Sequence, residues 1–335
     1  MFEKVNIIIP AIELDDELLN CLKEISKIDY SNFFVTIVLD RNVKSKLTIF
    51  KYKINKMVVG KMNMSKKRNL AAKKFKSKYI AFIDSDAYPN VNWLKNATKH
   101  LSDKKIHIVG GPNIPFKNQN YSEKISHYCK RSFFVTGHLN YRKYMSKKRI
   151  CTDWLEACNL IMRRNFFLKF GGMNEKSYFQ EDQEFFDRLR RKIKNFRVLF
   201  TPDVFVYHKE RKISKFLLQR LSFGTALLEA TKFSSGIKGL IPSIPIVSFF
   251  IFVAICLLEI SLNIKIIFFS AILMLINLAI LYEISKYIKS VKDIILTIII
   301  INFSSLLHII GGLITLIALR KFFERRLYVL SRTNV

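Results

Sequence analysis

No two of the five cysteines in this 335-residue chain stand in CxxC spacing. Cys21, Cys129, Cys151, Cys158 and Cys256 are also odd in number, so neither a zinc site nor a disulfide framework is expected from spacing, and reduced structural thiols are the expectation. The N-terminal stretch MFEKVNIIIPAIELDDELL has an apolar run too short for a secretory signal, with acids behind it. The first part of the chain is therefore expected to stay on the cytoplasmic side. Acidic side chains are scarce: 26 Asp and Glu stand against 56 Lys and Arg, a formal charge of +30. Of these, 47 basic and 22 acidic residues precede Gly239. A field of that sign favours nucleic acid, anionic lipid or nucleotide partners, or reflects a lysine-rich composition with no specific partner. No recognisable nucleic-acid-binding motif accompanies the charge, which argues against nucleic acid.

What the C-terminal third lacks is charge. Leu240–Leu258, Ile266–Tyr282 and Ile294–Leu319 are apolar and uncharged. Roughly 20 apolar residues are needed to cross a bilayer core. About three membrane helices are thus expected, near 240–258, 264–284 and 294–319, with a basic tail. Lys286, Lys289 and Lys292 lie between the second and third stretches, and Arg320, Lys321, Arg325 and Arg326 follow the third. The tendency of basic loops to stay cytoplasmic wants both groups on one side, which three plain crossings do not allow. Either the tail breaks the tendency or one segment is re-entrant, with Ser304, Ser305, His308, Gly311 and Gly312 as a candidate break. His308 reads either as a functional group at membrane depth or as a helix–helix hydrogen bonder.

Before that third, strands and helices alternate. Val5–Ile9 reads as a buried strand stopped by Pro10, and Phe34–Leu39 as a second ending at Asp40. Lys56–Val59 is a short third strand, a helix starts at Ser65, and Tyr79–Ile83 is a strand ending in Asp84-Ser85-Asp86. This order predicts an α/β fold with a mainly parallel sheet, whose ligands lie beyond the carboxyl ends of the strands. Pro10, Asp40 and Asp84 fall at such ends. The domains expected are a catalytic one over 1–211, an amphipathic membrane-interface helix and linker over 212–238, and the membrane anchor over 239–335.

Two acidic motifs carry chemistry. Asp84 and Asp86, one residue apart at a strand end, can hold Mn²⁺ or Mg²⁺ together with substrate phosphates. Glu181 and Asp182, in Phe179-Gln180-Glu181-Asp182, precede a helical pattern at Phe185, Phe186 and Leu189. They read as helix-capping acids or as a carboxylate general base, and different acids can fill the two roles.

The order IIIPA, VLD, SKKRNLA, FIDSD, GGMNE, FQED and a strand ending in His208 resembles the family-2 glycosyltransferases of GT-A fold, over about Val5 to Gly224. The resemblance implies a Rossmann-like catalytic domain that moves a sugar from a UDP- or GDP-sugar donor. By that likeness Asp40 contacts the nucleotide base, and Asp84 and Asp86 hold the metal and donor diphosphate. His208 lies near the metal, while Lys67, Arg68 and Asn69 lie beside the donor. Asp182 is the catalytic base, with Glu181 beside it. Pro10 and Glu13 border the donor site, and Gly171 and Gly172 form the turn into the acceptor region. Gln219, Arg220 and Gly224 resemble an element at the membrane surface, and the apolar tail resembles that of members acting on lipid-linked acceptors.

Departures are specific. Where the family's first strand often continues with Tyr-Asn, this chain has Ala11-Ile12-Glu13; where the second often ends in Asp-Asp-Gly-Ser, it has Asp40-Arg41-Asn42. Residues 113–149 match no part of the family pattern; rich in aromatic and basic residues, they are a candidate for acceptor binding. The basic run Lys209–Lys215 leads into an amphipathic pattern through Phe216, Leu217, Leu221 and Phe223, suited to an anionic bilayer surface or to packing on the catalytic domain. The expectation is a membrane-bound, inverting, single-addition transferase of cell-envelope glycan synthesis, using a lipid-linked (polyprenyl phosphate or diphosphate) or glycan acceptor. The alternatives are a processive synthase, against which the lack of a Q-x-x-R-W-type motif and the few membrane helices argue, and a non-enzymatic adaptor on anionic lipid.

Overall fold

The computed structural model describes residues 2–42, 47–145, 147–176, 181–226 and 244–316. Phe179 and Gln180 of the second acidic motif, the linker from 227 to 243 and the basic tail from 317 onward lie outside the described residues. Two compact units divide the chain: residues 1–117 with 141–209, and residues 118–140 with 210–335.

The first unit opens with β1 (Val5–Pro10), α1 (Asp16–Ile25), β2 (Phe33–Leu39), β3 (Ile54–Val58), α2 (Met64–Lys74) and β4 (Tyr79–Phe82). Strands β1, β2, β3 and β4 pair in parallel, in the spatial order β3-β2-β1-β4. Every residue of β1 is buried, as a strand covered on both faces must be. Its side chains join Leu18, Leu22 and Ile25 of α1 in one core. Asn63 caps α2, its side chain accepting from Lys66 N at 2.9 Å, so this helix begins one residue before Ser65.

Beyond β4 the sheet departs from parallel order. After β5 (Ala87–Pro89), α3 (Trp93–Ser102), β6 (Ile108–Gly110) and β7 (Asn113–Pro115), the chain leaves this unit for α4 (Tyr121–Arg131) and α5 (Phe133–Thr136). It returns for β8 (Ile150–Cys151), β9 (Leu160–Arg163), α6 (Arg164–Lys169), α7 (Glu181–Lys192), β10 (Val198–Phe200) and β11 (Val206–His208). Strand β9 enters between β4 and β6, antiparallel to both. A second, three-stranded sheet has the order β5-β11-β7, with β11 antiparallel to β5. These two antiparallel registers position the candidate site.

The second unit contains α4, α5, α8 (Ile213–Thr225), α9 (Ile244–Leu257), α10 (Leu262–Ile284) and α11 (Val291–Leu316). Helices α10 and α11 are long and apolar enough to cross a membrane, and α9 has 14 residues. Helix α11 runs unbroken through Gly311 and Gly312, so no break interrupts it there. Those glycines serve close packing instead. A Cβ on Gly311 would stand 2.2 Å from the Leu221 carbonyl, and one on Gly224 would stand 2.2 Å from that of His308. Helices α8 and α11 approach at backbone contact, as small residues at a helix–helix contact permit. Thr315 Oγ1 donates to the Thr225 carbonyl at 2.8 Å. Residues 118–140, which the sequence left unplaced, are part of this helical unit. An Asn120–Glu123 capping box starts α4, and a buried Asp293 on α11 accepts from Tyr121 Oη at 3.0 Å and Lys124 Nζ at 2.9 Å.

Candidate active site

The carboxyl ends of β1, β2 and β4 gather the first group. Pro10 ends β1, and the next carbonyl, that of Ala11, accepts from Lys67 Nζ at 2.5 Å. The same ammonium lies 2.7 Å from Asp40 Oδ1, just past β2. Lys67 is fully buried, so its charge is offset by Asp40 and that carbonyl. Glu13 stands apart on the exposed rim, 3.8 Å from Arg41 Nε.

One turn of α2 joins the two acidic motifs. Arg68, also buried, donates through Nη2 to Asp84 Oδ1 at 2.8 Å and through Nη1 to Glu181 Oε1 at 3.4 Å. The strand-end acid and the first residue of α7 therefore share one guanidinium, whose planar fork suits two carboxylates. Next in sequence, Asn69 braces the loop before α7. Its Oδ1 accepts from Met173 N at 2.9 Å, and its Nδ2 donates to Met173 O at 2.8 Å and Glu175 Oε1 at 3.0 Å. Gly171 and Gly172 turn that loop at φ +82° and +70°, and a Cβ on Gly172 would meet Asn69 Oδ1 at 2.4 Å. Both the backbone conformation and the space require glycine at 172.

Glu181 and Asp182 stand in the first turn of α7. Asp182 Oδ1 accepts from Gln183 N at 2.9 Å, which satisfies a free donor of the helix start. Burial, and then the negative charges of Glu181 and Glu156, push the Asp182 carboxyl up to about 7. A carboxyl so placed takes up and releases protons near neutrality, as a general base requires.

Glu156 was not among the residues singled out in the sequence. It accepts from Lys143 Nζ at 2.6 and 2.8 Å through its two oxygens and also pairs with Asn113 Nδ2. Burial alone would raise its carboxyl, but the Lys143 ammonium, with Arg142 and the Asn113 hydrogen bond, holds it down at about 2. A fixed negative charge thus acts on Asp182. No local motif marks Glu156, because its partners come from residues 113 and 143.

His208 reaches Asp84 and Asp86 through the β5–β11 ladder. His208 pairs with Ala87, and one step on, Lys209 N donates to the Asp86 carbonyl at 3.0 Å. The imidazole Nδ1 lies 2.8 Å from the Lys209 carbonyl oxygen. A carbonyl only accepts, so Nδ1 carries the proton, and in the neutral ring Nε2 presents its lone pair. Nε2 faces Asp86 Oδ1 at 3.5 Å and Asp84 Oδ2 at 3.9 Å. A lone pair turned toward two carboxylates is favourable with a cation among them, and oxygen and imidazole donors suit Mn²⁺. The residues present fit a divalent cation. Cys158 also lies here: ligand atoms of Asp84, Cys158 and His208 are all within 4.8 Å of one another.

The family described as "Glycosyltransferase like family 2" matches residues 3–222. Among solved structures, the mannosyltransferase PcManGT from Pyrobaculum calidifontis, in complex with GDP-Man and Mn²⁺, is similar at a TM-score of 0.57 and 12% identity. That match covers 93% of this chain and 87% of that one. S. aureus TarS 1–349, in complex with UDP-GlcNAc, is similar at a TM-score of 0.46 and 17% identity, covering 67% of this chain and 66% of that one. No curated protein sequence matches this chain.

Proposed function

We propose that this chain, which belongs to the family-2 glycosyltransferases and has their GT-A fold, moves a sugar from a UDP- or GDP-sugar to a hydroxyl of a lipid-linked or glycan acceptor. The transfer is a single addition by in-line displacement, with inversion at the anomeric carbon. The observation that carries the reading is the Arg68 bridge, 2.8 Å from Asp84 and 3.4 Å from Glu181, which ties the diphosphate-side acid to the residue beside Asp182. In this reading Asp40, held by Lys67, meets the nucleotide base. Pro10, Glu13 and Gly172 border the donor, and Arg68 stabilises charge as the diphosphate departs. Asp182 takes the proton of the attacking hydroxyl, for which its raised carboxyl is suited. A divalent cation held by Asp84, Asp86 and His208 would add positive charge against the leaving diphosphate.

The two long apolar helices support a multi-pass membrane enzyme. The basic loop of Lys286, Lys289 and Lys292 supports a cytoplasmic catalytic domain. An acceptor carried on polyprenyl phosphate or diphosphate, in the synthesis of a cell-envelope glycan, fits that location. The domains are a catalytic one over 1–211, an amphipathic membrane-interface helix and linker over 212–238 and the membrane anchor over 239–335; residues 118–140 cluster in one compact unit with residues 210–335.

A panel of UDP- and GDP-sugars, with Mn²⁺ or Mg²⁺ and a polyprenyl-phosphate acceptor in detergent, tests the reading. Release of nucleoside diphosphate by one donor is expected, lost in Asp182→Asn and sharply reduced in Asp86→Ala. Full turnover in both variants would overturn the mechanism.

A further inference from the structure

The register between β4 and β9 runs Tyr79↔Arg163, Ile80↔Met162, Ala81↔Ile161 and Phe82↔Leu160. Just before β9 the chain turns, Asn159 N donating to the Glu156 carbonyl at 3.0 Å, and this turn brings Cys158 near Asp84. On the other side, the β5–β11 register brings His208 opposite Ala87, next to Asp86. The turn leading into β9 and the β5–β11 ladder thus deliver a thiol and an imidazole to Asp84-Ser85-Asp86.

The thiol is fixed there by the fold. Asn159, the next residue, is buried and locked: Nδ2 donates to the carbonyls of Val204 at 2.9 Å and Gly111 at 3.2 Å, while Oδ1 accepts from Trp93 Nε1 at 2.9 Å. Cys158 itself is 6% exposed. Its sulfur, a carboxylate oxygen of Asp84 and a ring nitrogen of His208 lie within 4.8 Å of one another. A small inward movement of side chains closes that triangle on a single ion. The outward ring nitrogen of His208 is held by the Lys209 carbonyl, the outer hydrogen bond that fixes a ligating imidazole in its tautomer.

We infer that Asp84, Cys158 and His208 form a binding site for a thiophilic divalent cation of the Zn²⁺ and Cd²⁺ class. Sulfur, imidazole and one carboxylate, with a fourth position open, are the donor set such ions take, whereas Mg²⁺ discriminates against sulfur. Binding exchanges the Cys158 S–H bond for a metal–sulfur bond and releases the proton to solvent, with no change of oxidation state. The inference deepens the proposed function and rests on its placing of a cation at Asp84 and His208, since the soft ion shares those two ligands with the hard one. The two then exclude each other.

Cd²⁺ titrated into the purified full-length protein tests this, read by the thiolate-to-cadmium charge-transfer absorption in the ultraviolet. The exposed Cys151 and Cys256 would bind Cd²⁺ themselves, so both are first replaced by serine. In that background one equivalent of Cd²⁺ is expected to raise the band. Cys158→Ser should abolish it, and His208→Ala, which keeps the thiol, should weaken Cd²⁺ binding at least about tenfold. Circular dichroism reports whether each variant folds. Excess Mn²⁺ should bleach the band by taking the shared ligands. No band in the folded background protein, or a band unchanged in Cys158→Ser, overturns the inference. Donor turnover with Mn²⁺ in the background protein, measured alongside, reports separately on the proposed function.

Discussion

Both compact units bury charged side chains, and they use them differently. In the first, two buried cations, Lys67 and Arg68, lie under the carboxyl ends of the strands and hold Asp40, Asp84 and Glu181, which remain partly open. In the second, carboxylates, with Asp293 and Glu210 buried and Glu283 half-buried, have structural partners. Asp293 takes Tyr121 and Lys124, Glu210 takes His127 and Lys130, and Glu283 takes Ser132 Oγ and Phe133 N. A buried cation that orients partly open acids leaves them able to meet a ligand. A buried acid whose oxygens are taken by its own chain fastens one segment to another. The same ion-pair chemistry therefore serves a site in one region and a staple in the other.

The largest expected effect tests the site side of this contrast. Arg68→Met should lower turnover by about 10²–10³-fold, the range for removing one preorganised charge-stabilising donor. It should also lower the melting temperature, because Asp84 and Glu181 lose their shared partner; initial rates and a thermal melt check both. Next in size is pH dependence. The carboxyl of Asp182 is raised to about 7 by burial and by Glu181 and Glu156, and the base acts when deprotonated. Turnover should rise about tenfold per pH unit below that point and level off above it. Glu181→Gln, which removes the nearer negative charge, should shift the midpoint to lower pH in a rate–pH profile.

Gly172→Ala comes third. A left-handed backbone and the Asn69 contact at 2.4 Å should cost about 1–3 kcal/mol, seen in denaturant unfolding, with lost activity as the loop before α7 shifts. The smallest effect tests the staple side. Asp293→Asn should cost about 1–3 kcal/mol through its two hydrogen-bonding partners, while kcat on a detergent-solubilised acceptor changes less than twofold, on the order of experimental scatter. A loss of kcat as large as that of Arg68→Met would erase the distinction between the two regions.

The parallel half of the sheet was legible because each of its signals is local. An all-apolar run gives a buried strand, and an acid or proline at its end marks where a ligand would lie. Asp40, Asp84 and Asp86 were visible on that ground. Lys67 and Arg68 were visible only through a resemblance, since two basic residues on a short helix otherwise look solvated, yet both are buried. The segment 118–140 shows the limit. Its Asn120-x-x-Glu123 cap was readable, but that it joins α10 and α11 in one unit depends on Glu283 and Asp293, more than 150 residues away.

By itself the sequence determined the alternating strands and helices, the acids at strand ends and the apolar length of the last helices. Each follows from periodicity or composition within a short window. Only the tertiary structure decided that β9 enters the sheet antiparallel, that the turn before it brings Cys158 near Asp84, and that β11 brings His208 beside Asp86. Strand register is fixed by which faces of distant segments are buried together, and no single segment carries that information. For the same reason Glu156 acts on Asp182 although nothing near either residue announces it.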